Sequence, residues 1–315
     1  MNPIVRYRWR LRAVGFVVCW CLGLDALAQT PEQPDTANVH LASVSAAVAP
    51  VVGDEPILTK RSDWPMPIAS ITKVMTALVV LQSEAPLDEW LEVTERHFPA
   101  AANAFSRLRP KSEARRADLL RVALMSSENY AAYLLAWHHP EGYDAFIDAM
   151  NAKARALGMN QTRFVDSSGL SEENVSTAAD LLKLAKAAYA HNTLRELSTD
   201  GRHSIRFRKP GYSLHFGNTN PLVHSARWEL GLTKTGYLDA AGRCLLMVVD
   251  IEGEPTAIVL LNSFGTRTPL GDAGRIRRWL TTGHSGSVAQ AASSYEQQTA
   301  RELQNQVADA PVPAE

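Results

Sequence analysis

Ser70-Ile71-Thr72-Lys73 sets a hydroxyl and an amine three residues apart. On a helix the two side chains stand on one face, a turn apart. A serine hydroxyl is a weak nucleophile until a neighbouring base takes its proton. A lysine serves as that base only where its surroundings hold it neutral. The pair therefore points to acyl transfer through a serine ester. Two further polar tripeptides follow, Ser127-Glu128-Asn129 after 57 residues and Lys234-Thr235-Gly236 after another 107. Each is commonplace alone. A Ser-x-Asn is more often a helix cap than a site, and a lysine on a strand is usually a surface residue. In this order and together they match the S-x-x-K, S-x-N and K-T-G trio of serine acyl-transfer sites.

The flanking sequence supplies elements that suit these positions. Trp64-Pro-Met-Pro-Ile-Ala69 cannot be helical through both prolines, whereas Ile71 to Leu81 is apolar and free of breakers. Ser70 is thus predicted at a helix start, where free N–H groups and the positive end of the helix dipole lie beside its oxygen. The helix is apolar nearly all round, so it is a buried central helix, and Lys73 is a costly buried cation unless paired or neutral. Ala117–Met125 and Tyr130–Trp137 read as helices with Ser127–Asn129 between them. Leu230–Tyr237 and Arg243–Asp250 read as strands joined by a turn at Asp239–Gly242, with a third strand over Thr256–Ser263. Gly236 inside a strand predicts close approach of another group to its backbone.

Longer stretches carry a family resemblance. They are Ala69–Ala77, Leu124–Asn129, Leu157–Gly169, Asn218–Leu222, Gly231–Tyr237 and Ala241–Cys244. Over about residues 40 to 283 the chain resembles the low-molecular-mass penicillin-binding proteins of the D-alanyl-D-alanine peptidase group, the S11 serine peptidases. Within them it is most similar to the penicillin-binding protein 7 type of endopeptidase. The resemblance implies an α/β (α+β) fold like that of DD-peptidases and β-lactamases, an antiparallel sheet packed with helices plus a mostly helical lobe. It implies Ser70 as nucleophile, Lys73 as base and Ser127 as proton relay. Asn129 then binds a substrate amide, Lys234 and Thr235 a free carboxylate, and the N–H groups of Ser70 and Tyr237, beside Gly236, the oxyanion. The partners implied are peptidoglycan stem peptides and cross-links, and β-lactams; no cofactor is implied. Two features depart from the family pattern. Tyr130 replaces a small or basic residue and is expected at the cleft rim, and Ala42–Val52 is a weak first strand.

The N-terminus reads as an export signal with cleavage near Ala28. Four arginines precede an apolar core at Ala13–Leu24, followed by Ala26-Leu-Ala28. That core is shorter than the roughly 20 residues a membrane span needs, so no stable anchor is expected after cleavage and the location is periplasmic. Removing residues 1–28 takes four of 32 basic and one of 33 acidic residues. The remainder, 28 basic against 32 acidic, has net charge −4 and no overall basic field for nucleic acid. The remaining cysteine, Cys244, is expected as a small buried hydrophobe, since Cys19 and Cys21 leave with the signal. Residues 29–38 read as a linker, 39–283 as one catalytic domain and 284–315 as a disordered tail with a short helix possible at Ser294–Val307. His138-His139 suits a helix C-cap, and the histidines show no metal-ligand spacing; no metal is implied.

Three rivals remain at this level. A class A β-lactamase needs a further glutamate for deacylation, and no Glu-x-x-Leu-Asn box is present; Glu172-Glu-Asn174 belongs to a stretch resembling the peptidases. A D,D-carboxypeptidase shares every motif and differs only in leaving group. A catalytically idle peptidoglycan-binding scaffold is disfavoured by the intact Ser70, Lys73, Ser127 and Lys234.

Overall fold

The apolar run after Ser70 forms a helix with nearly every side chain covered. The structure, a computed structural model, describes residues 35–53, 55–95 and 105–308. In chain order its elements are β1 (Ser45–Pro50), β2 (Leu58–Lys60), β3 (Met66–Pro67), α1 (Thr72–Gln82), β4 (Trp90–Glu92), β5 (Glu113–Arg115), α2 (Arg116–Met125), α3 (Asn129–Trp137), α4 (Tyr143–Ala156), β6 (Val175–Ser176), α5 (Ala178–Tyr189), α6 (Asn192–Thr199), β7 (Arg202–Phe207), β8 (Tyr212–Gly217), β9 (Leu230–Leu238), β10 (Gly242–Ile251), β11 (Glu254–Ser263), α7 (Thr268–Thr282) and α8 (Gln290–Ala308). Residues Thr72 to Val80 of α1 are all buried. The expected export signal and residues 29–34 of the linker lie outside the described residues.

Five strands form one antiparallel sheet in the order β2-β1-β11-β10-β9. Both faces are covered, so its middle strands read as continuous apolar runs rather than alternating ones. Alternation survives in the packing. Cys244, Leu246 and Val248 enter the core shared with α1 and α5, while Leu245, Met247 and Val249 pack with Ile276 and Trp279 of α7. The weak first strand, β1, lies between β2 and β11 and is buried along Ser45–Ala49. Its small residues suit a strand enclosed by helices on both sides. Cys244 is buried and free, and burial pushes its thiol up to about 11.

The C-terminal segment departs from the expected disorder. Gln290–Ala308 is helix, longer than the short helix anticipated, and it docks on the domain. Ala300, Tyr295 and Leu303 meet the main core, and Glu296 reaches Lys60 at 3.0 Å and Arg61 at 2.6 Å. Its apolar face is narrow, one small or aromatic residue per turn, so a composition rich in Ala, Gln and Glu hides it. Those residues are also strong helix formers. Among the described residues no helix is long and apolar enough to cross a membrane.

Candidate active site

The two prolines before Ser70 keep the chain extended as far as β3. A single 3-10 turn, Ala69–Ile71, then leads into α1. Ala69 has φ +47°, in the left-handed region that L-residues avoid at a cost of roughly 1–2 kcal/mol. Its carbonyl accepts from Thr72 Oγ1 at 2.8 Å, which helps to fix the turn. Ser70 is therefore presented at the mouth of a buried helix, with Lys73 one turn behind.

Lys73 is 1 % exposed. Its Nζ lies 2.7 Å from Ser70 Oγ, 2.7 Å from Asn129 Oδ1 and 2.5 Å from the Ser168 carbonyl. The last two oxygens can only accept. A neutral amine has two N–H donors for them and a lone pair left for the Ser70 hydroxyl proton. Burial lowers the Lys73 pKa to about 7, against the opposing pull of Asp166 and Glu128. The amine thus lies where a base for Ser70 would lie, and its pKa is low enough for a neutral form to be present near neutral pH.

The Ser168 carbonyl is held by a tightly bonded loop. Asp166 Oδ1 accepts from the N–H groups of Ser168 and Gly169, both at 2.6 Å, and Oδ2 accepts from Ser171 N at 2.7 Å. The buried Asn174 side chain accepts from Val165 N at 2.7 Å and donates to Thr72 Oγ1 at 3.1 Å, tying the loop to α1. These residues lie in stretches that carry the family resemblance, yet no motif marks them as part of the site. The signal was available: Asp166-Ser-Ser-Gly169 is a side-chain-capped turn ending in glycine. Gly169 has φ +77°, and a Cβ there meets the Ala69 carbonyl oxygen at 1.9 Å. Gly169→Ala is expected to cost on the order of 2–4 kcal/mol, lowering Tm by roughly 5–12 °C, and to slow acylation because Ala69 carries Ser70. Thermal melts beside penicillin-labelling rates check both effects.

The connection between α2 and α3 places the second motif. Ser127 has φ +58°, a strained left-handed residue between the two helices, and it lines the cleft with Ser70. Asn129 is the first residue of α3, and Glu128 caps that helix by accepting from Tyr130 N at 3.2 Å. Tyr130 does not form the cleft rim as expected. It is 5 % exposed, faces the core, and its hydroxyl donates to the Thr94 carbonyl. α3 is enclosed all round from Tyr130 to Ala136, so position 130 is buried although its neighbour Asn129 lines the cleft.

The third motif lies on edge strand β9. Lys234 is 1 % exposed, and its Nζ donates to the Thr235 carbonyl at 2.8 Å. Burial, and then the charge of Lys73, lower its pKa well below the ordinary value. Thr235 Oγ1 is 2.6 Å from Thr219 Oγ1. Gly236 is where another group approaches: a Cβ there meets the Ile68 carbonyl oxygen at 3.1 Å and Ser70 N at 3.2 Å. The strand and the start of α1 are therefore as close as their backbones permit. Tyr237 is 45 % exposed, and its hydroxyl donates to Asp239 at 2.6 Å under the Arg243 guanidinium, 3.8 Å from the ring centroid. Ser70, Ser127, Asn129, Thr235, Gly236 and Tyr237 share one cleft of about 760 Å³, which Thr219, Arg243 and Arg267 also line. Lys73 and Lys234 are buried beside it. The sequence reading assigned no part to Thr219, Arg243 or Arg267, because single polar residues without a motif carry no spacing to read.

The chain and its fold are similar to known proteins. The chain is 43 % identical over 298 residues to an Escherichia coli (strain K12) D-alanyl-D-alanine endopeptidase, covering 95 % of this chain and 96 % of the relative. The fold matches the Streptomyces K15 DD-transpeptidase with a TM-score of 0.70 at 26 % identity, covering 77 % of this chain and 98 % of that one. It also matches the ampicillin-bound penicillin-binding protein D2 of Listeria monocytogenes, with a TM-score of 0.64 at 29 % identity over 75 % of this chain and 96 % of that one. The model of the peptidase S11 family, described as D-alanyl-D-alanine carboxypeptidase, matches residues 30–265. With its serine, its buried lysine and the edge strand beside them on the fold of those relatives, the chain belongs to the S11 family of serine D-alanyl-D-alanine peptidases.

Proposed function

We propose that this protein cleaves D-alanyl-diaminopimelate cross-links of peptidoglycan as an exported, periplasmic endopeptidase. One observation carries the chemistry: Ser70 Oγ lies 2.7 Å from an amine whose pKa burial brings to about 7. Lys73 takes the Ser70 proton while the oxygen attacks the D-alanyl carbonyl. The N–H groups of Ser70 and Tyr237 hold the oxyanion, with Gly236 allowing that approach. As the C–N bond breaks, Ser127 passes the proton to the leaving amine, and water later hydrolyses the ester. Asn129 holds the substrate amide, and Lys234 with Thr235 holds the carboxylate beside the scissile bond. A β-lactam acylates Ser70 in the same way, consistent with the ampicillin-bound relative.

The choice of endopeptidase is supported by the name and near-complete coverage of the Escherichia coli relative. A carboxypeptidase is the second reading, favoured by the description of the family. Both substrates present a D,D bond next to a free carboxylate, so the cleft chemistry is shared. Export is supported by the arginine-rich, apolar N-terminus ending in Ala26-Leu-Ala28. We assign residues 1–28 to the signal and 39–283 to the catalytic domain. Defined muropeptides decide between the readings: cross-linked dimers are expected to give monomers by mass, with pentapeptide monomers turned over slowly. Loss of terminal D-Ala with dimers intact makes the enzyme a carboxypeptidase, and turnover of neither, with penicillin binding retained, makes it a scaffold.

A further inference from the structure

The β7–β8 hairpin has one face in the core and one in solvent, and the charged residues on the solvent face are all arginines, among Ser204, Ser213, His215 and Gly217. On β7, Ile205 and Phe207 are buried while Arg202, Ser204 and Arg206 are exposed, with Arg208 continuing the pattern just beyond the strand. Residues 201–217 contain no Asp or Glu. The loop before β5 adds Arg107, whose guanidinium donates to the His215 carbonyl at 2.7 Å and lies 4.9 Å from the Phe216 ring centroid. Arg109 lies over Tyr212 at 4.6 Å, and Arg208 lies over Trp90 at 4.2 Å. Phe216 and Tyr212 pair with His203 and Phe207 on the core-side face, so Arg107 and Arg109 flank the hairpin and do not extend the solvent-face row. Glu113 pairs with Arg208 and Lys209 at the hairpin tip. Among the described residues, neither Arg202 nor Arg206 has an ion pair.

Like charges repeated along a strand without counter-ions oppose folding, and here they gather on a chain whose residues 29–315 are net acidic. The row also begins a short chain distance from the cleft. Arg202 pairs with Gly217, and Thr219, two residues on, touches Thr235 inside the cleft. Side chains on one strand face recur about every 6.5–7 Å, so Arg202 to Arg208 spans about 20 Å leading away from Ser70.

We propose that this arginine row docks free carboxylates of peptidoglycan stem peptides beyond the stem held in the cleft. The proposal rests on the reading of the cleft as a peptidoglycan site. Planar guanidinium forks suit carboxylates, which recur along such a polymer. A strand engaged at Ser70 continues onto the hairpin, so the surface favours polymeric over soluble substrate.

The test uses Arg202→Gln/Arg206→Gln and the matching double lysine variant. Neither residue belongs to the catalytic machinery. Binding to purified insoluble sacculi at low salt is expected to fall roughly tenfold in the glutamine variant, to be largely restored by lysine, and to weaken in the wild type as salt rises. Hydrolysis of a soluble cross-linked dimer is expected to stay within twofold while solubilisation of sacculi falls with binding. Equal sacculus binding by wild type and glutamine variant overturns the proposal. So does arginine-dependent binding to phosphatidylglycerol vesicles with sacculus binding unchanged, which makes the face a lipid contact. Arginine-dependent sacculus binding by a wild type that cleaves neither substrate supports the docking and overturns the peptidase reading instead.

Discussion

Ser70→Ala is expected to abolish covalent labelling by penicillin and to lower peptide turnover by a factor on the order of 10⁴–10⁶, the range seen when a serine nucleophile is removed. The expectation follows from the placement of its oxygen. Ser70 Oγ lies within 2.7 Å of the Lys73 amine and opens into the cleft, and no other hydroxyl is placed beside that amine at this distance among the described residues. Ser127 lines the same cleft, but it stands across from the helix and is not the group Lys73 approaches. Intact-mass analysis of wild type and variant after penicillin treatment reads the result directly. A Ser70→Ala protein that still gains the mass of penicillin moves the nucleophile elsewhere.

Lys73→Arg is expected to slow acylation by about 10²–10⁴-fold, the usual contribution of a positioned base. A guanidinium keeps the charge but does not release a proton near neutral pH. Because arginine is also larger in a fully buried place, Lys73→Met serves beside it: the methionine removes the base without burying a charge, and a similar loss in both variants isolates proton transfer. The pH dependence supplies an independent check. With a folded pKa of about 7, the neutral fraction rises with pH through that value, so the wild-type acylation rate climbs below pH 7 and flattens above it. The same displacement affects stability. Between about 7 and 10.5 the unfolded chain holds a proton that the folded chain has released, so this group makes stability rise with pH across that window. An acylation rate flat from pH 5 to 9, with normal rates in the arginine variant, leaves Lys73 as an electrostatic partner only.

Much of the site could be read from the sequence because its chemistry is concentrated in short motifs. Breakers on one side and an apolar run on the other located Ser70, and a three-residue spacing located Lys73. Gly236 announced a close approach, which proved to be the backbone of Ile68 to Ser70. What escaped notice is what motifs do not encode. The Ser168 carbonyl holds Lys73 through its backbone, and no side-chain type marks a backbone acceptor. Tyr130 lies off the cleft rim because α3 is enclosed on every side from 130 to 136, and a motif that ends at Asn129 does not reveal that. The β7–β8 hairpin went unassigned because its arginines look like loop residues until Ile205 and Phe207 are seen to share the opposite face. β1 is faint for the reverse reason: with both faces covered, its residues after Ser45 are small and apolar and show no alternation. The α8 contacts rest on a few residues spread over several turns, too sparse for composition to reveal.

The position of β1 also bears on when this protein comes into being as an enzyme. Ser45 pairs with Leu261, over 200 residues later in the chain. A ribosome delivers β1 long before its neighbour β11 exists, so until then one edge of the strand lacks its partner, and the face that packs with α7 waits longer still. Helices such as α1 to α3 can form early from local contacts, but such distant pairing is slow, and the sheet closes only at the end of synthesis. The wall carrying Lys234 to Tyr237 hangs on β10, which itself hangs on β11. A nascent or truncated chain ending before residue 261 therefore holds Ser70 and Lys73 without a finished cleft. Covalent capture of penicillin is therefore expected only from chains in which β11 has joined the sheet.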